Sequence, residues 1–285
     1  MKKITSKIGF IGAGNMGEAL VGALIKSNIT EPKCIYASDA SEKKLKNMSK
    51  EYGIHIRNDN FKLFLECDII ILAVKPQQMS QVLSEISGNV DDKLSHKKLI
   101  ISIAAGVSIR RLENLLYKQL NEKNQKKLPI VRVMPNTPAL VLAGISGMSA
   151  NKFTSRNDIK VSKAILESAG EVIEFDEKDL DAVTAVSGSG PAYVFYFIES
   201  MIAGGTKAGL SLKNSEKLTL ETVKGAVKLL EESNDSAETL RKKVASPGGT
   251  TEAALRVMEK TSVKASIVKA IAAAKKRSKE LRKLY

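Results

Sequence analysis

The chain has no tryptophan, two histidines (His55 and His96) and two cysteines (Cys34 and Cys67) among its 285 residues. Two cysteines make no disulfide framework, and with two histidines they make no zinc set, so no metal is expected. Both cysteines sit in strand-like apolar stretches and read as buried, reduced thiols. No apolar run approaches the ~18 residues of a membrane span. The opening, MKKITSKIGFIGAG, has early lysines and a short apolar run, but it flows into a glycine motif with no small-residue cleavage site. It is not read as a signal peptide. A cytoplasmic protein that does not enter a membrane is expected.

The charge has a strong sign. Lysine and arginine give a formal net charge of +14, against an ordinary hydrophobic share of 43%. The basic residues are scattered, densest from Lys264 to Tyr285, where eight stand against one acid. That segment has helical spacing and reads as a solvated lysine-rich face. Nucleic-acid binding would need a fold signature or interleaved aromatics, and neither is present. A positive field also favours anionic small ligands.

The first half of the chain alternates between two periods. Strands are expected at Lys7–Ile11, Lys33–Ser38, Ile54–Ile56, Asp68–Val74, Leu99–Ile103, Pro129–Met134, Ile145–Ser149 and Glu171–Phe175. Helices are expected at Gly17–Ser27, Ser41–Glu51, Phe61–Cys67, Gln78–Asn89, Ser108–Gln119 and Asp158–Ala169. DIIILAV shows no polar alternation, as in a parallel strand covered on both faces. From Asp176 onward only helices are expected: Leu180–Val186, Ala192–Gly209, Ser215–Ser233, Ala237–Val244, and Thr251 to the end. The fold class is therefore α/β, a doubly wound parallel sheet over residues 1–175 followed by an all-helical domain over 176–285. The long run AYVFYFIESMIAGGTKAGL is too apolar for a small helical domain to hide alone. It implies a helix–helix partner, most simply a second copy of the chain.

Gly12-Ala13-Gly14-Asn15-Met16-Gly17 is a GxGxxG motif that follows a strand and opens a helix, the context of a Rossmann dinucleotide fingerprint. The first glycine allows a tight turn, the second lets pyrophosphate approach backbone, and the third lets helix pack on strand. The helix N-terminus supplies donors and a positive dipole. Asp39 ends the second strand 22 residues after Gly17, where a carboxylate holds the ribose hydroxyls of NADH. Ser38, Ser41, Lys43 and Lys44 nearby suit the 2′-phosphate of NADPH, so either cofactor fits. Ligands of open α/β sheets lie beyond the carboxyl ends of strands, which brings in Ala73, Val74, Lys75 and Pro76, then Ala104 and Ala105. Asn136 lies between two prolines in a further rigid loop of this kind.

Two motifs remain. Ser187-Gly188-Ser189-Gly190-Pro191-Ala192-Tyr193 opens the first long helix. VASPGGTTEAAL, from Val244, sets a proline, two glycines and three hydroxyls at the start of another, more than a connector or a plain cap by Ser246 or Thr250 requires. Behind the fixed turn of Pro247, the bare backbone N–H groups of Gly248 and Gly249 at a helix N-terminus suit a carboxylate, with Ser246 and Thr250 as added donors.

In order, GFIGAGNMGEAL, AVKPQ, ISIAAGVS, RVMPNTPA, DAVTAVSGSGPAYVF and SPGGTTEAAL resemble the pyrroline-5-carboxylate reductase family, over essentially the whole chain. The resemblance implies a dinucleotide-binding domain, a helical dimerisation domain, often rings of dimers, and reduction of 1-pyrroline-5-carboxylate to L-proline by NADPH or NADH. By motif position it implies that Thr251 hydrogen-bonds the ring nitrogen and that Asn60 contacts the cofactor. The substrate ring would be clamped by SGSGPAY, through Ser187 and Gly188, and by SPGGTT, through Ser246, Gly248, Gly249, Thr250 and Thr251. The dimer partner completes the helical site in that family. Lys243 stands where some relatives have asparagine. An imine that enters protonated needs no histidine or lysine base, so catalysis would rest on orientation.

Two other functions would make different demands on the sequence. A β-hydroxyacid dehydrogenase would need a lysine and an asparagine where this chain has Val194 and Ile198. A non-catalytic protein could bind RNA or acidic lipid through its basic helices, and salt-sensitive binding without turnover would mark it.

Overall fold

A computed structural model of the chain describes residues 3–88, 90 and 93–284. It divides by packing into two compact units, residues 1–189 with 274–285, and residues 190–273. The expected helical residue Asn89 and the C-terminal Tyr285 lie outside the described residues.

The first unit is built on an eight-stranded sheet in the order β3-β2-β1-β4-β5-β6-β7-β8. The strands are β1 (Ile8–Ile11), β2 (Ile35–Ser38), β3 (His55–Ile56), β4 (Ile69–Leu72), β5 (Leu99–Ser102), β6 (Ile130–Met134), β7 (Gly144–Ala150) and β8 (Gly170–Glu174). The helices are α1 (Asn15–Lys26), α2 (Glu42–Tyr52), α3 (Asn60–Glu66), α4 (Met79–Ser87), α5 (Ile109–Leu116), α6 (Glu122–Gln125), α7 (Arg156–Glu167) and α8 (Leu180–Val183). The central strands are buried on both faces, as the apolar runs require. In β4, Ile69 and Ile71 join the core that contains Leu20, Leu24 and Leu45, while Ile70 and Leu72 join the core that contains Leu63, Leu83 and Leu112. Local chemistry sets several starts. Asp59 accepts the Lys62 N–H at 2.9 Å to cap α3, and Ser155 with Asp158 forms a capping box on α7.

The sheet departs from the expected parallel order at one place. β7 runs antiparallel to β6, and β8 is parallel to β7. The link from Pro135 to Ala143 holds one 3-10 turn, Thr137–Val141, and is too short for a parallel crossover. Other expectations shift at element ends. Lys33 and Cys34 lie in a 3-10 turn, Pro32–Cys34, so β2 starts later and the Cys34 thiol is partly exposed rather than buried. Cys67 is buried at the end of α3, where burial pushes its thiol up to about 12. Lys98 is also buried. Its ammonium donates to the carbonyls of Leu65 and Cys67 at 3.0 and 2.8 Å, and burial lowers its pKa. The helix expected over Leu180–Val186 is α8 followed by a π-helical turn, Thr184–Gly188.

The second unit is helical: α9 (Gly190–Lys207), α10 (Leu212–Glu232), α11 (Ala237–Val244), α12 (Thr250–Lys260) and α13 (Val263–Leu284), whose last turns belong to the first unit. The single helix expected from Thr251 to the end is broken after Lys260, where Ser262 has φ +56°. α9 and α10 pack where Gly205 meets Ser215. Among residues 190–273 only Ser215 and Thr219 are buried. This unit therefore has no apolar core of its own.

Candidate active site

The dinucleotide motif has three glycines in three situations. Gly12 has φ +110°, and a Cβ there would lie 2.6 Å from the Ala73 carbonyl carbon. A Cβ on Gly17 would lie 2.6 Å from the Gly12 oxygen, so only glycine lets α1 seat against β1. Gly14, the residue before the first turn of α1, has nothing within 4 Å of a Cβ. The first and third glycines serve the backbone, and the second leaves open space at a helix N-terminus.

That space belongs to a cleft of about 920 Å³ at the carboxyl ends of β1, β2 and β4. Of the residues expected at a cofactor, Gly12, Gly14, Ser38, Asp39, Asn60, Ala73, Val74 and Lys75 line it. Lys44, Asp59, Phe61, Gln78, Gln81, Val82 and Glu85 line it as well. Asp39 has a double use. One carboxylate oxygen accepts the Ala13 N–H at 2.7 Å and the other accepts the Ser41 N–H at 2.8 Å. It thereby ties the glycine turn to the end of β2. A side-chain chain runs along one wall. Ser38 Oγ donates to Asn60 Oδ1 at 2.8 Å, Asn60 Nδ2 donates to Glu85 Oε2 at 2.9 Å, and Gln81 Nε2 donates to Glu85 Oε1 at 3.1 Å.

The other expected cofactor residues stand apart from this lining. Ala13 is buried behind the turn, Asn15 and Met16 form the first turn of α1, and Pro76 opens a 3-10 turn at Pro76–Gln78. Ala104 is buried and Ala105 exposed at the end of β5, just before Gly106, whose Cα faces the Leu281 side chain of α13. Asn136 is buried, and its Oδ1 accepts the Ile145 N–H at 2.9 Å, which starts β7.

SGSGPAY crosses from the first unit to the second after Ser189, and SPGGTT lies in the second. In the first unit Ser187 Oγ donates to the Val183 carbonyl at 2.9 Å, and Gly188 packs against Met134 at the end of β6. In the helical unit, Gly249 is the N-cap of α12 and no side chain caps the helix. The amides named from the sequence have internal acceptors. Gly248 N–H donates to Glu252 Oε2 at 2.6 Å, and Gly249 N–H donates to the Ser246 carbonyl at 3.0 Å. Gly248 has φ +72°, which turns the chain into the helix. The first residues of α12, Thr250, Thr251 and Glu252, have amides with no intrahelical acceptor. Lys243 is engaged elsewhere, paired with Asp235 at 2.5 Å.

Sequence reasoning missed Glu85, Gln81 and Glu252. An acid on an amphipathic helix reads as solvated surface. The one available signal was the spacing of Gln78, Gln81 and Glu85, which repeats along one face next to the AVKPQ strand end.

Comparison with known proteins bears on both units. The family model described as pyrroline-5-carboxylate reductase dimerisation matches residues 177–281, and that described as NADP oxidoreductase, coenzyme F420-dependent, matches residues 7–106. Pyrroline-5-carboxylate reductase 2 of Bacillus subtilis is 37% identical over 280 residues, covering 98% of this chain and 96% of that protein. The pyrroline-5-carboxylate reductase of Methanosarcina acetivorans is 40% identical over 277 residues, covering 97% and 98%. Among solved structures, Plasmodium falciparum pyrroline carboxylate reductase with NADP bound superposes with a TM-score of 0.87 at 37% identity, covering 99% of this chain and 100% of that one. The Coxiella burnetii pyrroline-5-carboxylate reductase gives 0.85 at 38%, covering 98% and 99%.

Proposed function

The chain belongs to the pyrroline-5-carboxylate reductase family, and we propose that it reduces the C=N bond of 1-pyrroline-5-carboxylate to give L-proline. The observation that carries the proposal is the full-length similarity together with an NAD(P)H-sized cleft whose Gly14 edge is left open. Bound NAD(P)H supplies a hydride to the imine carbon, and the protonated imine nitrogen becomes a secondary amine.

The residues divide the work. Gly12, Gly14 and the amides opening α1 receive the pyrophosphate, Asp39 and Ser38 the adenosine ribose, and Val74 and Lys75 border the path beyond. The substrate's carboxylate is received by the first amides of α12, at Thr250 and Thr251, where the helix dipole favours an anion. Gly248 and Gly249 shape the turn that presents those amides. Thr251 Oγ1 hydrogen-bonds the ring nitrogen and holds it as its charge changes, and Ser187 and Gly188 supply the other substrate contacts. No ionisable side chain moves a proton, because the imine arrives protonated.

We assign residues 1–175 to cofactor binding and 176–285 to dimerisation and substrate binding, a division supported by the dimerisation model's start at residue 177. The lack of a core in the helical unit supports association with a second copy. Among the described residues no helix is long and apolar enough to cross a membrane. A cytoplasmic location is supported by the two free cysteines, which suit a reducing compartment.

The test is a steady-state assay with pyrroline-5-carboxylate, run separately with NADPH and NADH. Turnover with at least one is expected, and turnover of a β-hydroxyacid in its place overturns the proposal. Thr251→Ala is expected to lower kcat by about 10- to 100-fold, the loss of one hydrogen bond to a charged group. Cofactor affinity, measured by titration, should stay within about 2-fold.

A further inference from the structure

We propose that Glu85 reads the exocyclic amine of the cofactor's adenine and so selects adenine against purines that carry a carbonyl at that position. The inference needs only the dinucleotide reading of the cleft, and it stands or falls independently of the imine reaction.

The cleft has a direction. The open Gly14 edge at the N-terminus of α1 fixes the pyrophosphate end, and Ser38 with Asp39 at the end of β2 fixes the adenosine ribose. Beyond Ser38 the wall consists of Asn58 to Phe61 from the start of α3 and Gln81, Val82 and Glu85 from α4. A dinucleotide laid from the glycine turn across the end of β2 carries its purine into that wall. Phe61 and Val82 offer apolar surface for the ring.

Glu85 is the acceptor there. Its carboxylate is held from both sides, by Asn60 Nδ2 at 2.9 Å and Gln81 Nε2 at 3.1 Å. Each oxygen holds one N–H, and a carboxylate offers about four lone-pair positions, so both oxygens can still accept. Asn60 is in turn oriented by the Ser38 hydroxyl at 2.8 Å. The carboxylate therefore meets a ligand in a fixed place as an acceptor that cannot donate. The adenine amine, a pure donor, satisfies it. Hypoxanthine presents a carbonyl oxygen at the same position, so two acceptors face each other. A site built to hydrogen-bond one group discriminates strongly against an analogue lacking it. At a solvent-open carboxylate the effect is of order 10-fold, at the low end for charged hydrogen bonds.

The experiment titrates the full-length chain with NADPH and with reduced nicotinamide hypoxanthine dinucleotide phosphate, following the nicotinamide fluorescence on binding. The intact chain is expected to bind NADPH about 10-fold more tightly. In Glu85→Gln the amide still accepts from Asn60 but can also donate to a carbonyl, so the ratio should fall to within about 2-fold. A ratio below 2-fold in the intact chain overturns the proposal. So does a Glu85→Gln variant that weakens both dinucleotides equally, since that result would reduce Glu85 to a strut for Asn60. Loss of imine turnover with the binding ratio intact would count against the proposed reaction and leave this assignment standing.

Discussion

Gly12, Gly14 and Gly17 share one motif but fail differently when changed. A side chain at Gly12 or Gly17 meets backbone at 2.6 Å and disturbs the turn itself, whereas a side chain at Gly14 enters only the open cleft. Gly14→Val should therefore abolish NAD(P)H binding and lower the melting temperature by no more than about 4 °C, because the added side chain meets no neighbour and the cost is limited to about 1 kcal/mol for replacing glycine at the N-cap of α1. Cofactor titration beside thermal melting checks both halves. Asp39 makes a second case. If its carboxylate served only the ribose hydroxyls, Asp39→Ala would weaken NADH and spare NADPH. Because it also holds the amides of Ala13 and Ser41, both cofactors should weaken, by roughly 10-fold for two lost charged hydrogen bonds in a partly open setting. Parallel titrations decide between the outcomes. The roles of Gly12 and Gly17 were legible in the sequence because the chain has few ways to turn from strand into helix. The engagement of Gly248 by Glu252 was not, because a side chain four residues along can reach back or point to solvent with equal ease in a linear reading.

At the scale of elements, strand positions were legible where isoleucine and valine ran together, as in β4 and β5, and strand direction was not. β7 reverses because its link from β6 is short, a fact of chain reach rather than of any residue in β7. The break between α12 and α13 was equally silent, since Thr261-Ser262 carries neither glycine nor proline and Ser262 takes a positive φ. The end of α13 explains why part of the basic C-terminal helix is not merely a solvated face. Ser278 Oγ donates to the fully buried Asp181 of α8 at 2.8 Å, Arg282 pairs with the same carboxylate at 3.4 Å, and Leu281 meets Gly106. Asp181→Ala removes the anion from this cluster and leaves a hydroxyl and a half-exposed guanidinium without it. A loss of about 2–3 kcal/mol is expected, below the figure for a wholly buried pair because Arg282 is 34% exposed. Denaturant unfolding of Asp181→Ala, Arg282→Ala and the double variant measures the coupling. Additive losses would mean that the pair does not act together.

At the scale of the molecule, the helical unit poses a problem of surface. Phe195, Tyr196 and Phe197 on α9 are 64%, 73% and 48% exposed, and only two polar residues, Ser215 and Thr219, are buried across residues 190–273. Helices this apolar do not remain bare in water, and burying one such aromatic side chain contributes about 2–3 kcal/mol. The net charge of +14 opposes association of two copies, but lysines spread over the surface act weakly at physiological salt, where screening sets in within about 8 Å. Apolar burial should therefore win, and a second copy should cover α9. Phe195→Glu places a charge in that contact and is expected to shift sedimentation from dimer or larger to monomer at micromolar concentration. The cofactor cleft is lined wholly by residues of the first unit, so NAD(P)H affinity should hold within about 2-fold while imine turnover is lost. A monomeric variant with full turnover would show that the partner adds nothing to the substrate site. A variant that stays dimeric would move the interface off this face of α9.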